Sequence, residues 1–301
     1  MLPSHGYCSR RHFNTALAAG LSAVVSKPIA HGQQQEPNSD PDRLRVLTYN
    51  IYAGNGWPSD RSRAKRAVAT GQMPQRLARE LALYKPDLIN FSESPSEDFT
   101  QEVAEYLGMN HVRFPSGGNW PGTLLSRFEI SDSQNVPLDG ERPQELFTRH
   151  WGRATIKLPS GQPLIVHSAH LFPVADPAVR LKEISAMLAS MKADADARRS
   201  MLLIGDLNHG PDSEEYQRWM EAGWTDVFSK TGDGAGLTFR SDIPERRIDY
   251  VMAIGPIAEQ ADSCRPLFEG DFRLHIADQE SFALSDHLPV LAVFELKKNG
   301  T

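Results

Sequence analysis

Short apolar runs that end abruptly in polar residues constrain this chain more than any other feature. The clearest is SMLLIGDLNHG, Ser200 to Gly210. Met201-Leu202-Leu203-Ile204 has the length and continuity of a strand buried on both faces, and it gives way to Gly205-Asp206-Leu207-Asn208. In extended backbone Asp206 and Asn208 point to the same side. Taken alone, Asp-x-Asn ahead of Gly210-Pro211 is ordinary turn chemistry. A chemical role for the pair requires the same pattern in other segments.

The pattern recurs. Residues 44–52 (LRVLTYNIY) are rich in β-branched and aromatic residues and form the first predicted strand, with Asn50 near its end. Predicted helices over 63–69 and 76–84, the second with Leu77, Leu81 and Tyr84 on one face, stop at Lys85-Pro86-Asp87. Residues 88–93 (LINFSE) form a second buried strand ending at Glu93. Ser94-Pro95-Ser96-Glu97 then reads as a capping box opening a helix that Gly108 terminates. Further strands are expected at 122–127, 151–158, 163–171, 247–254 and 288–296. A helix opens at Asp176-Pro177 with Leu181, Ile184, Leu188 and Met191 as its core face, and a short one covers 214–220. There is no internal repeat. The alternation of strands and helices indicates an α/β domain over 43–297, and the strands are too many for one small open sheet. Two packed mixed β-sheets with helices outside accommodate them.

The first residues follow a different grammar. Ser9-Arg10-Arg11-His12-Phe13, a weakly apolar stretch over 15–25 and the small-residue exit Pro28-Ile29-Ala30-His31-Gly32 resemble a bacterial twin-arginine export signal. The expectation is a signal peptide over 1–32, cleaved near Ala30 to Gly32, a linker over 33–42, and a periplasmic or extracellular mature protein. Losing Arg10, Arg11 and Lys27 takes the formal charge from −6 to −9. That acidity argues against tight binding of long polyanions. Cys8 leaves with the signal, so Cys264 has no internal disulfide partner. No run of 18 apolar residues suggests a membrane span.

Eight polar residues sit within or at the ends of the predicted strands: Asn50, Glu93, His170, Asp206, Asn208, Asp249, Asp286 and His287. Each alone is explicable as a cap, a turn or a satisfied core group. Gathered at one sheet edge, the carboxylates would repel unless a cation or proton neutralised them. Oxygen donors dominate, which suits Mg²⁺ or Mn²⁺ better than zinc. Such an ion polarises a phosphoryl oxygen while a separate base prepares water.

The segments Thr48-Tyr49-Asn50-Ile51, Ser92-Glu93-Ser94, His167-Ser168-Ala169-His170-Leu171, Gly205-Asp206-Leu207-Asn208, Arg247-Ile248-Asp249-Tyr250 and Ser285-Asp286-His287-Leu288-Pro289 occur in an order that resembles the endonuclease/exonuclease/phosphatase superfamily. The resemblance implies a four-layered α/β sandwich of the deoxyribonuclease I type. It implies Asn50, Glu93 and Asp286 around Mg²⁺ or Mn²⁺, Asp206 preparing the attacking water and Asn208 holding the phosphate. His170 and His287 would stabilise phosphoryl charge, with Asp249 orienting His287. The expected activity is in-line hydrolysis of a phosphodiester or phosphomonoester, whether small molecule, phospholipid or nucleic acid; the oligomeric state is left open, and a monomer is compatible with the sequence. A secreted nuclease is the alternative within the family, and an inactive binding module on the same scaffold is the alternative outside catalysis. Tyr52, Trp57 and Trp120 in Gly/Pro loops could line a cleft or simply pack, and Arg240, Arg246 and Arg247 could meet phosphate or solvent.

Overall fold

The computed structural model describes Asp40 and residues 42–135 and 145–296. The expected signal over 1–32, most of the 33–42 linker, and Cys8 lie outside the described residues. In chain order the elements are β1 (Arg43–Asn50), α1 (Ser62–Ala69), α2 (Met73–Ala82), β2 (Leu88–Ser92), α3 (Glu97–Leu107), β3 (Asn110–Phe114), β4 (Gly122–Ser126) and β5 (Ile130–Gln134). Then follow β6 (His150–Lys157), β7 (Pro163–His170), α4 (Ala178–Asp196), β8 (Met201–Asp206), α5 (Glu214–Glu221), β9 (Thr225–Asp226) and α6 (Val227–Thr231). The last are β10 (Asp249–Ile254), α7 (Pro256–Glu259), β11 (Ala261–Pro266) and β12 (Val290–Glu295).

Among the described residues, twelve strands make two mixed sheets, ordered β11-β12-β1-β2-β4-β3 and β5-β6-β7-β8-β10-β9. Each sheet is centred on one parallel pair, β1–β2 and β7–β8, joined through helices. Every other pairing is antiparallel. A parallel pair needs a crossover, whereas antiparallel neighbours can be added by short connections. The carboxyl ends of β1, β2, β7 and β8 therefore define one edge of the molecule.

Side-chain alternation builds the layers. Leu44 and Val46 of β1, Leu88 of β2, Leu124 of β4, Leu164 and Val166 of β7, Leu202 and Ile204 of β8, and Val251 and Ala253 of β10 meet in one buried cluster between the sheets. Their neighbours of opposite parity face outward. Leu47, Tyr49, Ile89, Phe91 and Leu125 pack with Leu77 and Leu81 of α2 and Val103 of α3. Ile165, Met201, Leu203, Tyr250 and Met252 pack with Ile184, Met187 and Met191 of α4 and Trp219 of α5. Helix, sheet, sheet and helix stack as expected, and strands buried on both faces read as continuous apolar runs for this reason.

Three local expectations need correction. Helix α3 is capped by Ser96, whose Oγ accepts from Phe99 N at 3.3 Å, and not by Ser94. The chain beyond β2 is held out of the helix by Glu93 at φ 54° and by Ser94 N donating to Pro121 O. Helix α4 buries Arg180, Glu183, Ile184, Met187 and Met191, leaving Leu181 and Leu188 half-buried. Its inner face is partly polar because Glu183 accepts from the backbone N–H of Phe147 (2.8 Å) and Phe172 (3.0 Å), and Arg180 pairs with Glu215. Strands β3, β5, β9 and β11 had no counterpart in the sequence reading. Cys264 is buried without a disulfide. Among the described residues no helix is long and apolar enough to cross a membrane.

Candidate active site

The inner faces of the central strands change character along their length. After Leu44 and Val46, β1 continues with Thr48 and Asn50 on the same parity. Leu88 of β2 is followed by Asn90 and Ser92, Val166 of β7 by Ser168 and His170, and Ile204 of β8 by Asp206. A first polar stratum is closed on itself. His150 Nε2 donates to Ser168 Oγ (2.8 Å), Ser168 Oγ to Asn90 Oδ1 (2.5 Å), and Asn90 Nδ2 to Thr48 Oγ1 (3.1 Å). All four side chains are buried, and this chain ties the two sheets together.

The next stratum gathers the ionisable side chains. Register places His150 opposite His170, His170 opposite Asp206 and Asp206 opposite Asp249, so four ionisable side chains lie in one row across β6, β7, β8 and β10. His170 Nε2 is 3.5 Å and His287 Nε2 3.8 Å from Asp206 Oδ2. His287 Nδ1–H donates to Asp249 Oδ2 at 2.9 Å, which fixes the imidazole. From the other sheet Asn50 Nδ2 reaches both Asp206 Oδ2 (3.1 Å) and Glu93 Oε1 (3.3 Å), while its Oδ1 accepts from Tyr52 N. Ser285 donates to Asn50 O and accepts from His287 N, fastening the loop that carries Asp286 and His287 to the end of β1. Asp206 Oδ1 accepts from Asn208 N in an Asx turn, so the turn chemistry is present beside the site chemistry.

All eight residues read from the sequence come to this edge. Asn50, His170, Asp206, Asp249 and His287 are buried; Glu93, Asn208 and Asp286 are half-buried. Asn208, at φ 53°, spends one side-chain N–H on Leu171 O (3.0 Å), and its second side-chain N–H has no acceptor among the described residues.

Burial sets the electrostatics. It raises the pKa of Asp206, and the charge of Asp249 adds to the effect, which His287, Asn50 and Asn208 N oppose. Burial also raises Glu93 and Asp286, and Asp286 raises Glu93 further. Burial alone would lower His287, but Asp249, Asp206 and Asp286 overcome it and hold the imidazole protonated. His170 is pushed well below its ordinary value by burial and by its cationic neighbours, so it is a neutral hydrogen-bond donor and not a cation. Asp206, Asp249 and His287 offer atoms within 4.8 Å of one another. Because His287 already uses Nδ1 on Asp249, this trio has the geometry of an acid–base group, and the oxygen donors Asn50, Glu93 and Asp286 suit a hard cation better.

Residues flanking the site in the sequence divide. His209 faces away from the site; it packs against Tyr250 and accepts from Trp219 Nε1. Arg247 is structural, buried in an ion pair with Asp226 at 2.5 Å. Arg246 lies over Phe239, and Arg240 pairs with Asp242 above the Trp57 ring. A cavity of about 300 Å³ lined by Arg63, Arg66, Arg76 and Arg273 contains none of the eight residues. Neither Arg149, which precedes His150, nor the Thr48–Asn90–Ser168–His150 chain stands out in the sequence. Counting two residues back from each strand-end polar group would have found Thr48 and Ser168.

A two-sheet α/β sandwich with carboxylates and imidazoles at its strand ends defines a class of hydrolytic enzymes acting on phosphate esters. A family model described as Endonuclease/Exonuclease/phosphatase family matches residues 47–287, and the chain belongs to that family. The fold is similar to that of a family protein from Bacteroides thetaiotaomicron (18% identity, TM-score 0.66, covering 85% of this chain and 98% of that one). It is also similar to a mannosyl-6-phosphatase from the same organism (18%, TM-score 0.66, 83% and 98%) and to an AP endonuclease from Archaeoglobus fulgidus (21%, TM-score 0.59, 84% and 99%). No curated protein matches the sequence.

Proposed function

We propose that the chain is an exported, divalent-metal-dependent phosphoesterase that hydrolyses its substrate by in-line attack of water. The observation that carries this reading is Asn50, whose amide bridges Glu93 and Asp206 and so joins the oxygen donors of one sheet to the acid–base row of the other. The donor set fits a hard cation: carboxylates whose pKa values are raised by burial and mutual repulsion gain from a bound positive charge. Glu93, Asp286 and Asn50 would hold Mg²⁺ or Mn²⁺, which supplies Lewis-acid stabilisation of a phosphoryl oxygen and of the departing oxygen.

The chain's own residues do the rest. Asp206, with its raised pKa, takes a proton from water as the water oxygen bonds to phosphorus. The ester P–O bond opposite breaks, the departing alkoxide takes a proton from solvent water to leave as an alcohol, and Asp206 returns its proton to solvent. His287, positioned by Asp249, offers Nε2–H to the phosphoryl oxygens, and His170 and the free Asn208 N–H offer further donors. The acidic mature charge favours small esters or lipid headgroups over a nuclease role. An intact set of eight residues speaks against an inactive scaffold.

The test is a panel of phosphomonoesters, phosphodiesters, phospholipids and nucleic acids, assayed with Mg²⁺, with Mn²⁺ and with chelator. Asp206→Asn and His287→Ala should each lower turnover by about 10²-fold or more at unchanged fold. Retained activity in both refutes the assignment. Export rests on residues 1–32, and N-terminal sequencing of periplasmic protein should find cleavage near Ala30 to Gly32.

A further inference from the structure

Arg149 has no assigned role, yet it is placed where a substrate anion would arrive. It is the residue before β6, one step beyond the His150–His170 pair of the site row. Its guanidinium lies 4.5 Å from the Trp120 ring centroid, and Glu93 and Asp206 are the first carboxylates whose charge acts on it. Among the described residues it makes no ion pair and no side-chain hydrogen bond, and its Nε is buried without an acceptor. Other half-buried or buried arginines near these strands have partners: Arg113 on Pro95 O, Arg153 on Asp132, Arg247 on Asp226, Arg240 on Asp242.

The backbone around Arg149 is fixed. Thr148 O accepts from Ser116 Oγ and Gly118 N, both at 2.8 Å, Arg149 O accepts from Gly117 N at 3.3 Å, and Phe147 N is bound by Glu183. Trp120 is tied to the same loop by its N–H on Ser116 Oγ, and Pro121 O receives Ser94 N from the segment carrying Glu93. The guanidinium is thus stacked, desolvated and aimed by a rigid frame, with its planar fork uncommitted. A fork of this kind matches two oxygens of a phosphate, and stacking on an aromatic face reduces the freedom lost when it binds.

We propose that Arg149, held on Trp120, binds non-bridging oxygens of the substrate's phosphoryl group and sets affinity for it. This rests on the phosphoesterase reading and extends it to a residue outside the eight. The probe is inorganic phosphate, titrated calorimetrically into the full chain with Mg²⁺ present. Arg149→Gln should weaken phosphate about tenfold or more, and Arg149→Lys should give a smaller loss because it keeps the charge without the fork. In Arg149→Ala, guanidinium chloride should restore phosphate affinity where sodium chloride at equal ionic strength does not, which a purely structural arginine would not produce. Unchanged phosphate affinity in Arg149→Gln, or absence of guanidinium rescue, overturns the proposal. A wild-type chain that binds phosphate through Arg149 but cleaves no ester overturns the phosphoesterase reading alone. One that cleaves esters while Arg149→Gln keeps its KM and phosphate affinity overturns this proposal alone.

Discussion

Gly205, the residue before Asp206, is the point where the sheet and the site depend on the absence of one carbon. It pairs with Ala169 of β7 and Tyr250 of β10 and has φ 150°. A Cβ added there would lie 1.7 Å from Ala169 O and 2.8 Å from Ala169 C. Both are backbone atoms, so no side chain can swing aside, and β7 must move from β8 by more than an ångström. Gly205→Ala should therefore cost about 1–3 kcal/mol of backbone strain and about 1 kcal/mol for each of two or three ladder hydrogen bonds, roughly 3–6 kcal/mol together. At about 2–4 °C per kcal/mol the melting temperature should fall by roughly 6–24 °C. The His170–Asp206 contact spans the same pair of strands, so hydrolysis should fall with it. Gly161→Ala is the control: its φ is 79° but nothing lies within 4 Å, so only about 1 kcal/mol of strain is expected. Calorimetric melting of both variants decides the matter, and a Gly205→Ala protein that melts no lower than the Gly161→Ala control refutes the argument.

Asp226→Ala should destabilise by about 3–5 kcal/mol in chemical denaturation, because it strands the buried Arg247 guanidinium and removes the cap that accepts from Phe228 N and Ser229 N. Acid stability should follow the buried histidines. Burial lowers His209 from 6.5 to about 4, and His150 and His167 to about 3. The folded state then binds fewer protons than the unfolded state, so stability present above pH 6.5 is lost as pH falls through about 4 for His209 and about 3 for the other two. Replacing His209 with Gln should flatten the upper part of that fall; a denaturation profile with the wild-type slope between those limits would count against it.

The eight central strands were legible because burial on both faces leaves an apolar run whatever the parity, as in Met201 to Ile204. The four strands that escaped notice, β3, β5, β9 and β11, are the four sheet edges. Edge strands carry polar residues that discourage pairing with another chain, and Ile130–Gln134 (ISDSQ) and Ala261–Pro266 (ADSCRP) do so. Polarity that protects an edge erases the strand signal. The site residues were legible for the opposite reason: Asn50, Asp206 and Asp249 interrupt runs that packing would otherwise keep apolar. Arg149 was not, since it lies before β6 beside a segment of ordinary polarity, and only the third dimension sets it against Glu93 and Trp120. The role of Asp206 and Asn208 as a turn also survives, with the Asp206 side chain accepting from the Asn208 backbone N–H.

Charge at this edge supplies a reason for a cation that the donor types alone do not. Glu93, Asp206, Asp249 and Asp286 bring four carboxylates together, and the charged groups facing them are the His287 imidazolium and Arg149. His150 and His170 are in the same row, but burial keeps them neutral, so they hydrogen-bond without offsetting charge. Protonating Asp206 relieves one negative charge at the expense of its chemistry, because a protonated carboxyl cannot accept a proton from water. On the proposed reading, a divalent ion on the oxygen donors would relieve the remaining repulsion and leave Asp206 unprotonated. In this site the neutral histidines and the raised carboxylates have one leading cause, the burial of the polar stratum between two sheets, and the proposed cation would answer the second.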